Sequence, residues 1–314
     1  MFTRIEFTNF KGFEKLELDG LARVNLVVGK NNSGKTSLLE GIALIANPEQ
    51  NRIGQLPTLL RSSFGNVNTR FYRWLIRDKS SGAELSASAK STKSIVTIVP
   101  VSNAGLNVPR TFRVGDMQFF RADATPDFNY KVISVHHIEH NQLVQSFGSA
   151  MRQKDGEKQL EQLLHAVDVR ISRIRVDPAP DGNILVVDIG LSEFIPLEQA
   201  GQGVNRLVAI FSELIGGRPQ ICFIDEIENG IHHSAMTDVW TGIAEAAERI
   251  GVQVFATTHS YECIEAAHAA FSKRPNYDFS IVQLFRSKNG VQGRCLDKAQ
   301  IESALDGKID LRGI

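Results

Sequence analysis

The sequence predicts an α/β fold: a core of buried strands alternating with helices, interrupted by an inserted lobe of short antiparallel strands and helices. Three observations predict it. Arg23–Val28 is rich in consecutive apolar residues, as a buried strand is, and leads through a glycine-bearing turn into an apolar-periodic helix. Two further short apolar runs, Gln220–Ile224 and Val252–Ala256, each lie between helical segments and end in polar residues. Between these halves, residues 49–135 turn rich in Ser, Thr, Asn and Arg, with short alternating segments.

Taken in order, Phe2–Phe10 alternates as a strand, Glu14–Leu18 is a second and Arg23–Val28 a third. Gly29–Gly34 forms the turn, Lys35–Ala46 a helix, and Asn47-Pro48 its end. Glu84–Ala89, Ser94–Val101, Thr111–Val114 and Tyr130–Val135 read as short antiparallel strands, and Gln142–Val167 as one helix. Val169–Val176 and Ile184–Leu191 flank a turn at Pro178–Gly182. Val204–Leu214 is a helix stopped by Gly216-Gly217; Ser234–Ile250 is a helix with Ser234 as its cap and Gly251 as its stop. Tyr261–Phe271 is the last helix in this reading, and Phe279–Arg286 with Val291–Leu296 forms a hairpin around Asn289-Gly290. The chain divides into an N-terminal part (1–48), an inserted β-rich and helical lobe (49–185) and a C-terminal part (186–314), all within a single domain (1–314).

Composition excludes little beyond extremes. The chain has 314 residues, a hydrophobic fraction of 42% and zero formal net charge, enough to bury a full core without metal or disulfide staples. Cys222, Cys263 and Cys295 form no CxxC pair, which fits a reducing cytoplasm. No apolar run reaches the roughly 18 residues of a membrane span. Residues 61–113 carry nine basic residues (Arg61, Arg70, Arg73, Arg77, Lys79, Lys90, Lys93, Arg110, Arg113) against Asp78 and Glu84, a local excess of +7. That stretch is either a solvated face or a surface for nucleic acid or an acidic partner.

The first chemical motif is Gly29-Lys30-Asn31-Asn32-Ser33-Gly34-Lys35-Thr36, a match to GxxxxGK[ST]. Its glycines let successive backbone N–H groups wrap phosphate oxygens, and the following helix adds its positive end. Gly29, Asn31, Asn32, Ser33, Gly34, Lys35, Thr36 and Ser37 are therefore the expected contacts of a nucleoside triphosphate, ATP with Mg²⁺. Lys35 would reach the β and γ phosphates, and the Thr36 hydroxyl would ligate Mg²⁺. The second motif is Ile221–Ile224 delivering Asp225 and Glu226 at a strand end, where ligands bind in α/β sheets. Asp225 is the expected Mg²⁺ partner and Glu226 the expected general base. The third is Thr257-Thr258-His259-Ser260, with His259 as a group beside the γ-phosphate. The fourth is Ala200–Arg206, where Gly201 and Gly203 open a helix; it is a second anion site or a plain turn and cap. His136, His137 and His140 read as a metal site or as ordinary polar surface, and His232 carries little weight on its own.

These four motifs, with Asn9-Phe10-Lys11 and Asp225–His232, resemble the ABC-type ATPases of the RecF, SMC and OLD group, nearest to the short AAA-family ATPases of bacterial defence and toxin systems. The resemblance covers about 1–48 and 186–290. It implies a P-loop NTPase with an ABC-type head, ATP sandwiched between two copies, and Lys35, Thr36, Asp225, Glu226 and His259 at the Walker A, Walker B and switch-histidine positions. Gly201–Arg206 resembles the signature motif but departs from LSGGQ at Ala200 and Gln202. Gln118 is the one weak candidate for the Q-loop. No long heptad insertion, no acidic nuclease cluster after the head and no membrane-coupling segment is read. The expected role is an ATP-driven dimerising switch for a separately encoded effector, a nuclease or toxin, in antiviral defence. The alternatives are a RecF-like DNA-binding ATPase of DNA repair using the 61–113 surface, and a nucleotide-sensing scaffold with little turnover.

Overall fold

The computed structural model describes residues 1–47, 49, 70–77, 80–89, 92–100, 111–114, 117–121, 127–134, 140–180, 182–288 and 290–313. Its centre is a six-stranded sheet ordered β15-β14-β3-β13-β12-β8: Gly290–Leu296, Phe279–Ser287, Val24–Val28, Gln253–Thr257, Ile221–Ile224 and Tyr130–Ile133. All pairs are parallel except β14 with β15. Every residue of β3, β12 and β13 is buried, as parallel strands covered on both faces require.

Alternate residues of these strands feed two cores. Leu26, Cys222, Ile224, Val254 and Ala256 face a helical layer. That layer holds α3 (His140–Met151), α4 (Gly156–Val167), α5 (Gln202–Gly217), α6 (Met236–Ile250) and α7 (Tyr261–Ser272). Val27, Phe223 and Phe255 face α1 (Lys35–Ala46). Beyond α1 lies an antiparallel sheet ordered β2-β1-β4-β5-β7-β6: Phe13–Asp19, Arg4–Phe10, Ala83–Ala89, Thr92–Pro100, Met117–Arg121 and Thr111–Val114. α1 is thus buried between two sheets, which explains why ten of its twelve residues are buried. Gly41 makes the closeness possible: a Cβ there would meet the Phe7 ring at 2.4 Å. Phe7 packs edge-on against Phe10 and Phe13, with centroids 5.3 and 5.7 Å away, and burying each such ring stabilises by about 1.5–3 kcal/mol. A third sheet, β11-β10-β9 (Ile195–Pro196, Gly182–Asp188, Arg173–Ala179), packs on the helical layer. α2 is a single turn at Arg70–Arg73 and α8 spans Lys298–Asp306 under an Asp297 capping box.

Several expectations need correction. Tyr130–Ile133 does not pair as an antiparallel lobe strand; it runs parallel to β12 as an edge of the central sheet, with Ile221 opposite Tyr130. Residues 142–167 are two helices, because Asp155 adopts φ 62 and Gly156 presses on Ala150 O, where a Cβ would lie 2.0 Å away. Gly216-Gly217 does not stop α5. The helix includes both and ends at Gly217, with Arg218 as its C-cap at φ 41; Gly216 instead lets α3 approach, since its Cβ would meet Ser146 O at 2.2 Å. Ser234 does not cap α6: a 3₁₀ turn, His233–Ala235, precedes the helix, and His232 accepts the Ser234 N–H. Gly251 ends α6 at φ 79, as expected. β14 and β15 pair as a hairpin; Asn289 lies outside the described residues.

Candidate functional site

The parallel strands deliver three of the predicted motifs to the C-terminal end of the sheet. β3 ends at Val28, and Gly29–Gly34 turns directly into α1. The turn is pressed onto β14: a Cβ on Gly29 would lie 2.7 Å from Leu284 O and 2.4 Å from Ser33 Oγ. Asn32 and Gly34 adopt φ 59 and 95, a region that favours Asn and Gly. Arg286 Nη2 holds Asn32 O at 3.1 Å. Gly34 offers no side-chain cap, and the helical ladder begins with Leu38 N–H donating to Gly34 O at 2.8 Å. The amides of Lys35 and Thr36 thus stand ahead of the ladder, at the positive end of the helix. Thr36 and Ser37 are half-buried there, Asn31 and Asn32 exposed.

Lys35 is buried and donates to Gly29 O at 2.8 Å and Lys30 O at 3.1 Å, with His259 Nδ1 3.3 Å away. Burial lowers its pKa to about 8, against the opposing pull of Asp225, Glu226 and Glu228. Its ammonium is therefore within electrostatic reach of all three acids. The Ser33 hydroxyl is buried with no partner among the described residues.

β12 ends at Ile224, so Asp225 and Glu226 emerge beside the turn. Thr257, the last residue of β13, organises both. Its hydroxyl donates to Asp225 Oδ1 at 2.7 Å and accepts the Glu226 N–H at 2.7 Å. Glu226 is held at φ 44, a strained conformation for this residue type. Glu226 Oε1 lies 3.8 Å from His259 Nε2. Burial, and then Lys35, lower the His259 pKa, so its ring is neutral at pH 7. Glu228, which the motif reading left without a role, accepts the N–H of His259 at 2.6 Å and of Ser260 at 3.2 Å through Oε1. Its signal was the third acid of Asp-Glu-Ile-Glu; Thr257 had only its place beside Thr258-His259.

The Gly201–Arg206 turn behaves differently. Gly203 packs inside its own chain, where a Cβ would meet Gly230 O at 2.3 Å; around Gly201 there is open space. Arg206 is buried and donates to Ser134 O at 2.6 Å, to Ile133 O at 3.5 Å and to Asp225 O. Burial lowers its pKa to about 10, leaving it charged at neutral pH.

Other candidates lie apart from this cluster. Both ring nitrogens of His140 are engaged, by Glu198 and by Asn183 O, which favours polar surface over a metal ligand; His136 and His137 lie outside the described residues. Among the described residues no group of three or more His, Cys, Asp and Glu is placed to hold a metal. Gln118 sits on β7 opposite Val99 and Arg113. His232 and His233 lie with ring centroids 4.2 Å apart and planes tilted by 35°. Of the basic stretch, Arg73, Lys93 and Arg113 are exposed and Arg77 is half-buried, donating to Gly12 O and Glu14. Arg61, Lys79, Lys90 and Arg110 lie outside the described residues. No helix of the described residues is long and apolar enough to cross a membrane.

Comparison with known proteins fits this geometry. Residues 96–265 match the family described as "AAA domain, putative AbiEii toxin, Type IV TA system", and residues 1–100 match "AAA ATPase domain". An ATP/GTP phosphatase of Helicobacter pylori is 22% identical over 84% of this chain and 87% of its own length. The DNA replication and repair protein RecF of Bacillus mycoides is 34% identical over 94 residues, which is 29% of this chain and 24% of RecF. Among solved structures, an SMC head bound to the C-terminal winged-helix domain of ScpA superposes with TM-score 0.61 at 11% identity, covering 97% of this chain and 99% of that one. The SMC head of Thermotoga maritima superposes with TM-score 0.52 at 12% identity, over 94% and 99%.

Proposed function

Because the chain belongs to this AAA-domain family and is an ATPase with an ABC-type head, we propose that it works as a dimerising switch: two copies close on ATP and reopen after hydrolysis, controlling a separate effector. The convergence of His259 on Lys35 at 3.3 Å and on Glu226 at 3.8 Å carries the hydrolytic part. Lys35 leaves the Gly29 and Lys30 carbonyls to neutralise β and γ phosphate oxygens. The amides ahead of the α1 ladder bind the same oxygens. Glu226, fixed by Thr257, takes the proton of the attacking water, and neutral His259 orients that water and the γ-phosphate. The Thr36 hydroxyl and the Asp225 carboxylate are hard oxygen donors, the pair that suits Mg²⁺ completed by phosphates rather than an all-protein cage. Mg²⁺ held by Thr36 and Asp225 would supply charge neutralisation to the phosphates.

The family description, with its toxin and TA-system wording, supports a place in such a system; the separate effector, a toxin or nuclease acting in cytoplasmic bacterial defence, is part of the proposal. The SMC neighbour, itself bound to a domain of ScpA, supports a head that engages a protein partner. The RecF match, with the exposed Arg73, Lys93 and Arg113, favours a second reading in which that face binds DNA. Glu226→Gln tests the switch. Light scattering should report a dimer trapped by ATP and Mg²⁺; a mutant that stays monomeric with ATP overturns the proposal. Salt-dependent, ATP-dependent DNA binding would favour the RecF-like reading instead.

A further inference from the structure

The backbone of His259 is gripped on both sides of its Cα. Glu228 accepts its N–H, and Arg312 Nη1 donates to its carbonyl at 3.2 Å. Arg312 comes from a segment after α8 that none of the sequence motifs touches. Asp310 holds that guanidinium in a fork: Nε to Oδ1 and Nη2 to Oδ2, both at 2.9 Å, with the Arg312 amide also on Oδ1 at 2.9 Å. A fork of this kind fixes direction as well as charge. Leu311 between them is buried, and its carbonyl accepts from Gln283 Nε2 of β14 at 2.8 Å. Asp310 also feels Lys30 of the phosphate-binding turn, and the Arg312 guanidinium lies 6.0 Å from the Tyr261 ring centroid. The segment therefore touches β14 and the residues around His259, within electrostatic reach of the turn.

The Asp310–Arg312 pair is half open to solvent, with side chains 49% and 39% exposed, and such pairs add little to stability. Its specific product is the placement of one carbonyl. We propose that Arg312 is a positioning residue for ATP hydrolysis, holding His259 against Lys35 and Glu226, in extension of the role given above to that histidine. Removing the guanidinium leaves the 259–260 peptide held only through its Ser260 N–H, by Glu228 and Thr258, so its carbonyl loses its anchor and the imidazole is placed less firmly, without altering the phosphate-binding turn. Such a change lowers kcat more than it raises KM.

Steady-state ATPase and hydrogen exchange on the purified full chain test this together. Arg312→Ala should lower kcat at least tenfold with KM for ATP changed less than twofold. Arg312→Lys, which keeps a donor for the carbonyl but loses the fork, should recover at least a third of the wild-type kcat. In nucleotide-free protein, the peptide spanning His259 and Ser260 should exchange at least tenfold faster in Arg312→Ala, with the melting temperature unchanged. Asp310→Asn serves as the second variant, since it loosens the fork without removing apolar contact. Unchanged exchange at His259 in both variants overturns the latch whatever the kinetics. Faster exchange with unchanged kcat overturns the positioning role. If His259→Ala itself keeps wild-type kcat, the hydrolytic site proposed above is what fails, and exchange still reports on the latch separately.

Discussion

The hydroxyl of Thr257 lies 2.7 Å from Asp225 Oδ1 and is oriented by the Glu226 amide it accepts. One small side chain on β13 thereby sets the direction of the acid that follows β12 and the strained backbone of the next. Thr257→Val keeps the shape and removes both bonds, leaving a buried carboxylate oxygen and an amide unpaired. We expect a loss of about 1–3 kcal/mol in urea unfolding and a kcat at least tenfold lower. Thr257→Ser, which retains the hydroxyl, should stay near wild type in both measurements.

Arg206 ties the start of α5 to the ends of β8 and β12 through the Ile133, Ser134 and Asp225 carbonyls. Replacing it with Met removes a buried charge but leaves those carbonyls without their donor. The carbonyls dominate, because three acceptors lose their donor, which outweighs relief of the buried charge and of its unpartnered Nε. Arg206→Met should therefore destabilise the nucleotide-free chain by about 2–4 kcal/mol in chemical denaturation. A neutral or stabilising result would mean that water takes over the carbonyls.

The place of the Gly29–Gly34 turn and of the acids Asp225 and Glu226 in the fold was legible because each is a short contiguous string at the end of an apolar strand. The same locality hid other features. Tyr130–Ile133 reads as a strand, but nothing in four residues names its partner, so its parallel pairing to β12 emerged only in three dimensions. Gly216 reads as a stop because glycine disfavours helix; it is tolerated in α5 because α3 needs the space. Arg206 and Arg312 act on backbone carbonyls, which every residue possesses, so their partners leave no trace in side-chain identity. Glu228 was within the recognised motif, but its role depends on amides from a different strand.

Burial lowers the Lys35 pKa to about 8, which makes nucleotide binding depend on pH. Phosphates require the ammonium form. The free chain gives up that proton as pH rises through about 8, so apparent ATP affinity should fall above it, by at most about tenfold per pH unit. Binding between pH 8 and 9.5 should take up a proton, visible in calorimetry as a heat that varies with buffer ionisation enthalpy. For stability the sign is opposite. The unfolded chain holds the Lys35 proton up to its ordinary pKa near 10.5, so this residue's contribution to stability rises with pH across that window. Lys35→Arg, which stays charged throughout, should lose both dependences. An affinity that is flat from pH 7 to 9.5 in the wild type would contradict the buried-ammonium picture.

Gly203 decides whether the signature-like turn contributes to the fold, to the assembly or to both. Its absent Cβ would sit 2.3 Å from Gly230 O, a backbone atom with little freedom to retreat. Gly203→Ala should therefore cost about 1–3 kcal/mol in the nucleotide-free monomer, as overpacking does, and lower the melting temperature. Gly201 has φ 104 but open space around it, so Gly201→Ala should show a backbone-strain cost without a steric one. If Gly203→Ala melts like wild type yet fails to dimerise with ATP in light scattering, the glycine is present for the partner's nucleotide and not for Gly230. If it melts early and the surviving folded fraction still dimerises, the turn is held by packing within the chain and leaves the intermolecular contact to the amides at the start of α5.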